Sequence, residues 1–519
     1  MDYDDDFEGE PLLAGDECDP EDLLEPGAPA LPPLGSGLAA RFQAKNQKTI
    51  VRLLAAMLFT IALSGMLLMV PLFRIIEDTV CHIYYKKDPS EKIDELLCKV
   101  EEVQRELAYL GGLGAMLGSL VGFVAALPYG VLADRIGRKP TFIISYCGII
   151  LAFGWGPFML GVVRTTNLYL VMIGSFFFLI GGGLPVAMNS LNAMAADVSS
   201  DADKSTSFLY LSFGGVLGSL VGPFTAGVLM EKVSPWLPIC LVFASSPFVV
   251  FGMLLFIPET LPIKLKTAPE DVPMPFIETT RKNLGEGLAE LKTSLGLLKN
   301  TNILLCMVTF LIQPAVFTAY SSTLSQYVSN YFGWTLAQTS YLLSPPLGIL
   351  HLVVILLVPQ VSKVLTAPTG RFRLSSFSKD LFLTRVSLAL QILAAILEGF
   401  SQDIVLFLVG LVIGTFGSAN GPLLRAISTS YVEPNQTSRL YSLMSMVETS
   451  GAVFGGPVLA QLFAVGLAKR GLWIGLPWFY VAVLLFLALN ALMFVRKPAV
   501  KDAAEDGDGI GYQSAEEAI

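Results

Sequence analysis

The chain has 519 residues, of which 53% are apolar and 15% are charged, and its mean hydropathy is +0.63. Because soluble domains carry roughly 25% charged residues, this composition excludes an ordinary soluble enzyme and indicates a polytopic membrane protein. The formal net charge is −9, but residues 1–30 alone contain twelve acidic and no basic side chains. No basic cluster interleaved with aromatic residues indicates nucleic-acid binding.

Apolar stretches long enough to cross a bilayer, about 20 residues each, follow one another along the chain. Six precede Glu259, at residues 54–73, 107–133, 140–163, 166–196, 205–230 and 233–258. Residues 300–362 contain no Asp, Glu, Lys or Arg and provide two more spans, joined by a turn at residues 330–333. Four further spans follow, a weaker one at 382–401 and then 404–424, 440–465 and 474–495. The sequence predicts an all-α membrane protein with twelve transmembrane helices.

These spans divide the chain into five segments: an acidic disordered tail at 1–50, a six-helix half at 51–258, a linker at 259–299, a second six-helix half at 300–496, and a tail at 497–519. The linker is expected to contain an amphipathic helix, because its leucines recur every three or four residues. The excess of Lys and Arg in alternate loops places both tails and the linker in the cytosol.

The two halves resemble each other in sequence. Gly222 and Pro223 in the fifth span align with Gly456 and Pro457 in the eleventh at an offset of 234 residues. Nearly the same offset places Asn192 on Arg425. The twelve helices are therefore expected to form two six-helix pseudo-repeats, an arrangement that places a substrate site near the bilayer midplane between the halves.

The loop between the second and third spans contains a glycine- and charge-rich motif, Gly130-Val-Leu-Ala-Asp134-Arg135-Ile-Gly137-Arg138-Lys139. It resembles the signature G-x-L-A-D-R-x-G-R-K/R of the major facilitator superfamily. Small residues such as Gly130 let helices approach closely, and Gly137 permits a tight reversal. The resemblance implies an alternating-access transporter in which this motif closes the cytosolic side. Pro258-Glu259-Thr260 also resembles the ending of the sixth span in that superfamily.

The fifth span contains a packing motif formed by Gly218, Gly222, Pro223 and Gly227. It resembles the G-x-x-x-G-P-x-x-G-G motif of drug:proton antiporters in the superfamily, with Ala226 in place of one glycine. The arginine that those antiporters carry in the fourth span is replaced by Phe177, which leaves proton antiport open.

The polar stretch after the first span is flanked by Cys81 and Cys98, the candidate disulfide of this chain. This stretch resembles a fungal subgroup of the superfamily that is distantly similar to proton-coupled folate transporters. No metal or cofactor is expected.

Polar residues inside apolar spans are costly and are candidate cavity or proton-coupling residues. Glu448, near half depth in the eleventh span, could carry a proton, or it could form a buried ion pair with Arg425 if their depths match. His351 in the eighth span could be a proton site or a hydrogen-bonded helix residue. The other candidates are Asn189, Asn192 and Gln313.

The function predicted from these features is proton-coupled export of small organic molecules such as drugs, toxins or secondary metabolites. The alternatives are a proton-coupled uptake symporter for an organic solute and a non-transporting membrane sensor on the same scaffold. The chain is not expected to be an enzyme, and it lacks the phosphate-binding loop of an ATP-driven pump. The expected partners are a small-molecule substrate, protons and the lipid bilayer.

The N-terminal tail contains two acid-x-x-x-Leu-Leu motifs, which end at Leu13 and Leu24. Such motifs resemble those that sorting adaptors read for vacuolar delivery. The expected location is the plasma membrane or the vacuolar membrane.

Overall fold

The computed structural model describes residues 42–89, 91–163, 167–199, 204–260, 295–366, 374–432 and 437–497. Within these ranges, twelve helices are long and apolar enough to cross a membrane, which confirms the predicted fold class. They are α1 (Gln47–Tyr85), α2 (Glu101–Ile136), α3 (Arg138–Val163), α4 (Leu168–Val198), α5 (Lys204–Lys232), α6 (Trp236–Phe256), α7 (Thr301–Tyr331), α8 (Leu336–Thr366), α9 (Ser376–Phe400), α10 (Ile404–Thr429), α11 (Thr437–Lys469) and α12 (Gly471–Met493). Most of the amphipathic helix predicted in the linker lies outside the described residues.

The apolar runs form helices because a backbone surrounded by lipid has to satisfy its N–H and C=O groups within its own segment. Helix α1 has 39 residues, which corresponds to about 58 Å at ~1.5 Å per residue. It is therefore much longer than the ~30 Å hydrocarbon core and continues beyond the predicted first span. Its last turns contain Glu77 and Cys81, in a stretch that the sequence indicates as a polar loop.

The helices are arranged in two bundles of six. In the first half α1 packs along α5 and α3 along α4, while in the second half α9 packs against α10 and α12, and α7 packs against α11. The halves meet through two helix pairs, α2 with α11 and α5 with α8. Exchanging the halves converts one pair into the other, as expected for a six-helix repeat.

Two helices are interrupted at equivalent positions of the repeat. Helix α4 leaves regular geometry at residues 180–182, and α10 does so at residues 417–419. The offset of 234 residues relates these breaks to within one turn. At the first break Gly181 and Gly182 adopt φ values of +87° and +78°, and a Cβ on Gly181 would collide with the backbone of Ser145. Paired interruptions of this kind occur at the binding sites of transporters.

The two ends of the bundle are named here by their landmarks. The disulfide side carries the segment between α1 and α2, where Cys81 and Cys98 are joined in a disulfide. The linker side is the opposite end, which carries Gly137 and Glu259.

Candidate transport pathway

Two adjoining cavities lie between the halves. One of about 270 Å³ is enclosed by α1, α5, α7 and α8, and one of about 230 Å³ is enclosed by α1, α2, α7 and α11. Met69, Phe317 and Ser321 line both cavities. None of the described side chains that line either cavity carries a charge. A pocket made of apolar side chains and a few hydroxyl groups suits an apolar or amphipathic organic solute.

Close packing between α2 and α11 closes the cavities toward the disulfide side. The Tyr109 hydroxyl donates a hydrogen bond of 2.7 Å to Oε1 of Gln461. One turn further along α2, a Cβ on Gly112 would lie 2.8 Å from the Cβ of Ala460 and 3.0 Å from the carbonyl oxygen of Gly456. Glycine at this position is what allows the two backbones to approach.

The segment between α1 and α2 completes this closure. Oε1 of Glu95 accepts a hydrogen bond of 2.7 Å from the backbone N–H of Leu336, the first residue of α8. A carboxylate at a helix N-terminus is stabilised by the unpaired N–H groups and the helix dipole there. The disulfide between Cys81 and Cys98 fastens the short helix Glu95–Cys98 to α1. The first half therefore caps a helix of the second half.

Loss of this disulfide is expected to lower thermal stability. Its cysteines are 17 residues apart, and closing a loop of about 15 residues is worth ~3 kcal/mol in the chain-entropy account. We expect the variant Cys81→Ser/Cys98→Ser to unfold at a lower temperature than the wild type, and dithiothreitol to reproduce the effect. The control is Cys147→Ser/Cys240→Ser, because both of these thiols are free and exposed. Equal melting of all forms would contradict a stabilising role.

A fully buried glutamate supports the same region. Glu77 has an exposed fraction of 0% and receives hydrogen bonds of 2.6 Å from Nζ of Lys99 and 2.6 Å from Nε2 of Gln104. Nη1 of Arg74 lies 3.3 Å from its other oxygen. A buried carboxylate remains ionised when cations and donors surround it in this way. The sequence did not single out this residue, because α1 was predicted to end at residue 73.

The superfamily-like motif on the linker side is described only in part. The side chains of Asp134 and Arg135, and the surroundings of Gly130, lie outside the described residues. Gly137 connects α2 to α3 with φ +114°, a conformation that favours glycine. A Cβ at this position would collide with the carboxylate of Glu259. Oε1 of Glu259 accepts a hydrogen bond of 3.0 Å from the backbone N–H of Arg138.

The two basic residues at the end of this motif bind the ends of α4 and α6. Nε of Arg138 lies 3.6 Å from Oδ2 of Asp197. Nζ of Lys139 donates hydrogen bonds to the carbonyl oxygens of Leu254 at 2.9 Å and Ile257 at 2.8 Å. Cations at a helix C-terminus compensate its unpaired carbonyl groups. The described part of the motif therefore joins three helices of the first half.

The packing motif of α5 contacts helices of both halves. A Cβ on Gly218 would lie 2.5 Å from the carbonyl oxygen of Phe59, and one on Gly222 would lie 2.7 Å from the Cβ of Met66, both in α1. A Cβ on Gly227 would lie 2.7 Å from the carbonyl oxygen of Ala337 in α8. Pro223 lines the larger cavity. The motif thus allows close contact with α1 and, near the disulfide side, with the second half.

Arg425 and Glu448 form an ion pair between α10 and α11. Nη2 of Arg425 lies 3.0 Å from Oε1 of Glu448, and the two side chains are 53% and 29% exposed. Helix α11 begins at Thr437, so Glu448 lies about a third of the way along it from the linker side rather than near its middle. This shift brings the two residues to matching depths.

The remaining polar candidates lie in different surroundings. Asn189 and Asn192 are exposed on α4. Nε2 of Gln313 lies 3.5 Å from Oδ1 of Asn420, whose amide donates 2.9 Å to Oε1 of Gln391. His351 is half-buried in α8, and no hydrogen bond to its ring is found among the described residues. The structure does not bring these groups together into one cluster.

A second fully buried glutamate, which the sequence indicated only as the boundary of a weak span, lies near the disulfide-side end of α9. Glu398 has an exposed fraction of 0%, and its Oε2 accepts a hydrogen bond of 2.9 Å from the hydroxyl of Tyr320. Its Oε1 has no hydrogen-bond partner within the described part of the chain. The signal that was available is an acid inside an apolar run.

Twelve membrane-crossing helices in two six-helix halves around a central cavity define a secondary transporter. A family model described as the Major Facilitator Superfamily matches residues 106–378. The chain belongs to this superfamily, whose members are transporters rather than enzymes.

Relatives and solved structures agree with this assignment. The chain is 27% identical to the MFS efflux pump atnC of Emericella nidulans, over 86% of this chain and 88% of the relative. It is 26% identical to the efflux pump ustT of Aspergillus flavus, over 86% and 88%. The fold is similar to the human organic anion transporter MFSD10, with a TM-score of 0.55 and 16% identity over 86% of this chain and all of that one. It is also similar to the nucleoside transporter NupG, with a TM-score of 0.58 and 14% identity over 87% and all of that chain.

Proposed function

We propose that this protein exports small amphipathic organic molecules in exchange for protons. The observation that carries the proposal is the uncharged, mainly apolar cavity between the halves. Such a cavity can bind a greasy solute without the cost of pairing a buried charge. Two of the relatives that align with most of the chain are named efflux pumps, which supports the outward direction.

The Arg425–Glu448 pair supplies a means of coupling. Because both side chains are partly exposed and 3.0 Å apart, a proton that binds Glu448 competes directly with Arg425. Protonation removes the charge attraction and frees Arg425, so the pair has two states that the proton selects. In this proposal the proton from the acidic side breaks the pair while the solute leaves.

Orientation and gating complete the proposal. The positive-inside bias places the linker side in the cytosol, so the conformation seen here, closed on the disulfide side, receives solute from the cytosol. The Asp134 motif then closes the linker side in the opposite conformation. The boundaries at residues 50, 258, 299 and 496, and a plasma or vacuolar membrane location directed by sorting adaptors on the N-terminal tail, belong to the same proposal.

A vesicle assay tests the direction and the coupling. The protein is reconstituted with its linker side facing the bulk solution, the vesicle interior is acidified, and uptake of rhodamine 6G and other fluorescent amphipathic dyes is measured. Export by proton exchange predicts accumulation that a protonophore abolishes. Dye release driven by the same gradient would indicate an uptake symporter, and binding without gradient-dependent flux would indicate a sensor.

Neutralising Glu448 is expected to remove the pH response. We expect Glu448→Gln to reduce gradient-driven accumulation at least tenfold, because the glutamine can still accept a hydrogen bond from Arg425 but cannot exchange a proton. Dye exchange at equal pH should persist. Glu102→Gln, an exposed acid at the disulfide-side end of α2, is the matched control. An unchanged pH dependence in Glu448→Gln would assign the pair a structural role.

A further inference from the structure

The two fully buried glutamates of this protein have opposite surroundings. Glu77 is in contact with two cations, Lys99 and Arg74, and a donating amide. Glu398 receives one hydrogen bond, from the phenol of Tyr320, and its second oxygen has no partner in the described ranges. An isolated buried carboxylate is strongly disfavoured relative to the neutral acid. The same side chain is thus supported as an anion at one site and as an acid at the other.

No charged group from the helices around Glu398 offsets its burial. Helix α9 packs against α8, α10 and α12, and the titratable residues nearest to Glu398 are phenols, with Tyr320 and Tyr327 on α7. The nearest cation on its own helix is Arg385, 13 residues earlier and therefore about 20 Å away. Its guanidinium donates to the carbonyl oxygen of Leu492 at 2.8 Å.

The other charged and titratable side chains lie further from this site. Helix α10 contains no charged residue between Ile404 and Arg425, and α12 contains only a tyrosine, Tyr480. On α8 the titratable groups are Tyr341, His351 and Lys363. Asp403 lies at the surface, where its carboxylate caps α10 through the N–H of Leu406, and Lys469 lies over the ring of Trp473 at 4.4 Å.

Glu398 lies between the central cavity and a separate pocket on the disulfide side. Tyr320, its hydrogen-bond donor, lines the larger central cavity. A pocket of about 290 Å³ near the ends of α7, α9 and α12 is lined by Tyr327, Gly399 and Ser401, so it begins at the residue that follows Glu398. Helix α10 makes room for the acid, because a Cβ on Gly410 would lie 2.8 Å from its Cγ.

We propose that Glu398 is a proton-binding site inside the second half, reached from the disulfide-side pocket and linked to the central cavity by the Tyr320 hydroxyl. A proton from water in that pocket adds to the carboxylate and gives the neutral acid. The acid returns it by donating to the Tyr320 oxygen while the phenol donates its own proton to water in the cavity, so that both groups are restored. This inference rests on the proposed exchange of protons for solute, and it adds a second site to that of Glu448.

Infrared spectroscopy of the purified, lipid-reconstituted protein tests the protonation directly and needs no substrate. At neutral pH the wild type should show the carbonyl stretch of a protonated carboxylic acid, which shifts in D₂O. Glu398→Gln, which keeps the shape and an acceptor for Tyr320, should remove this band. Glu77→Gln and Glu448→Gln should retain it, because both of those acids are paired with cations in the wild type.

The link to the cavity is tested with Tyr320→Phe. Loss of the phenolic donor should shift the acid band to higher frequency and slow its exchange in D₂O at least threefold, while gel filtration reports an unchanged fold. The proposal is overturned if Glu398→Gln leaves the band intact or if no acid band exists at neutral pH. Unchanged band position and exchange in Tyr320→Phe would overturn the link. None of these outcomes depends on dye flux, so proton-driven export can stand or fail separately.

Discussion

Replacement of Gly112 by valine is expected to prevent closure on the disulfide side. A Cβ at this position would lie 2.8 Å from the Cβ of Ala460 and 3.0 Å from the carbonyl oxygen of Gly456, so two branched methyl groups cannot fit while α2 touches α11. Overpacking of this kind costs about 1–3 kcal/mol, which shifts a two-state equilibrium roughly 5- to 150-fold. Spin labels at Glu102 and Ala468 should report a longer distance.

The matched control for this variant is Gly122→Val on the same helix. A Cβ on Gly122 meets nothing within 4 Å, so the same change in helix propensity occurs there without the clash. We expect the control to retain the wild-type distance distribution and gradient-driven dye uptake, whereas Gly112→Val loses both. Normal uptake by Gly112→Val would show that the contact between α2 and α11 is not required in the transport cycle.

Removal of the cation beside Glu77 is expected to be strongly destabilising. In Lys99→Met the fully buried carboxylate loses its 2.6 Å partner and keeps only Arg74 and the amide of Gln104. Deleting one member of a buried ion pair costs about 3–5 kcal/mol, because the remaining charge stays desolvated. With Arg74 retained, we expect a loss of about 3 kcal/mol in the free energy of unfolding, measured by thermal denaturation in detergent.

A double-mutant cycle separates pairing from packing at this site. The variant Glu77→Gln removes the charge that Lys99 compensates, so Lys99→Met/Glu77→Gln should recover most of the stability lost in Lys99→Met. The coupling between the two positions should exceed about 1 kcal/mol, as found for residues within one network. Additive losses would mean that Lys99 stabilises the fold through its aliphatic stem and not through Glu77.

Most of the fold could be predicted from composition and hydropathy, because a lipid-embedded segment has few structural options. The predicted spans match helices in number and order, and the weak span at 382–401 corresponds to α9, Ser376–Phe400. Helix ends were harder to predict. Helix α1 continues through charged residues to Tyr85 because buried partners such as Lys99 compensate Glu77, and such tertiary pairing has no local signature.

The site was predictable where one segment contains the whole signal. The glycines of the α5 motif and the turn at Gly137 follow from local steric rules, and the structure places them at close contacts. Glu398 and Tyr320 are 78 residues apart, and the phenol that binds the acid resembles any other aromatic residue of an apolar run. Tyr109 and Gln461 likewise become partners only when α2 meets α11.

The central claim is that the two six-helix halves alternate around one cavity. Spin-label distances across both sides of the same protein test it most directly, with one pair at Glu102 and Ala468 on the disulfide side and another at Lys48 and Ser430 on the linker side, each recorded over a range of pH. Alternation predicts two populations at each pair, with the disulfide-side distance lengthening as the linker-side distance shortens. A single distance at both pairs, unchanged by pH and by transported dye, would contradict it.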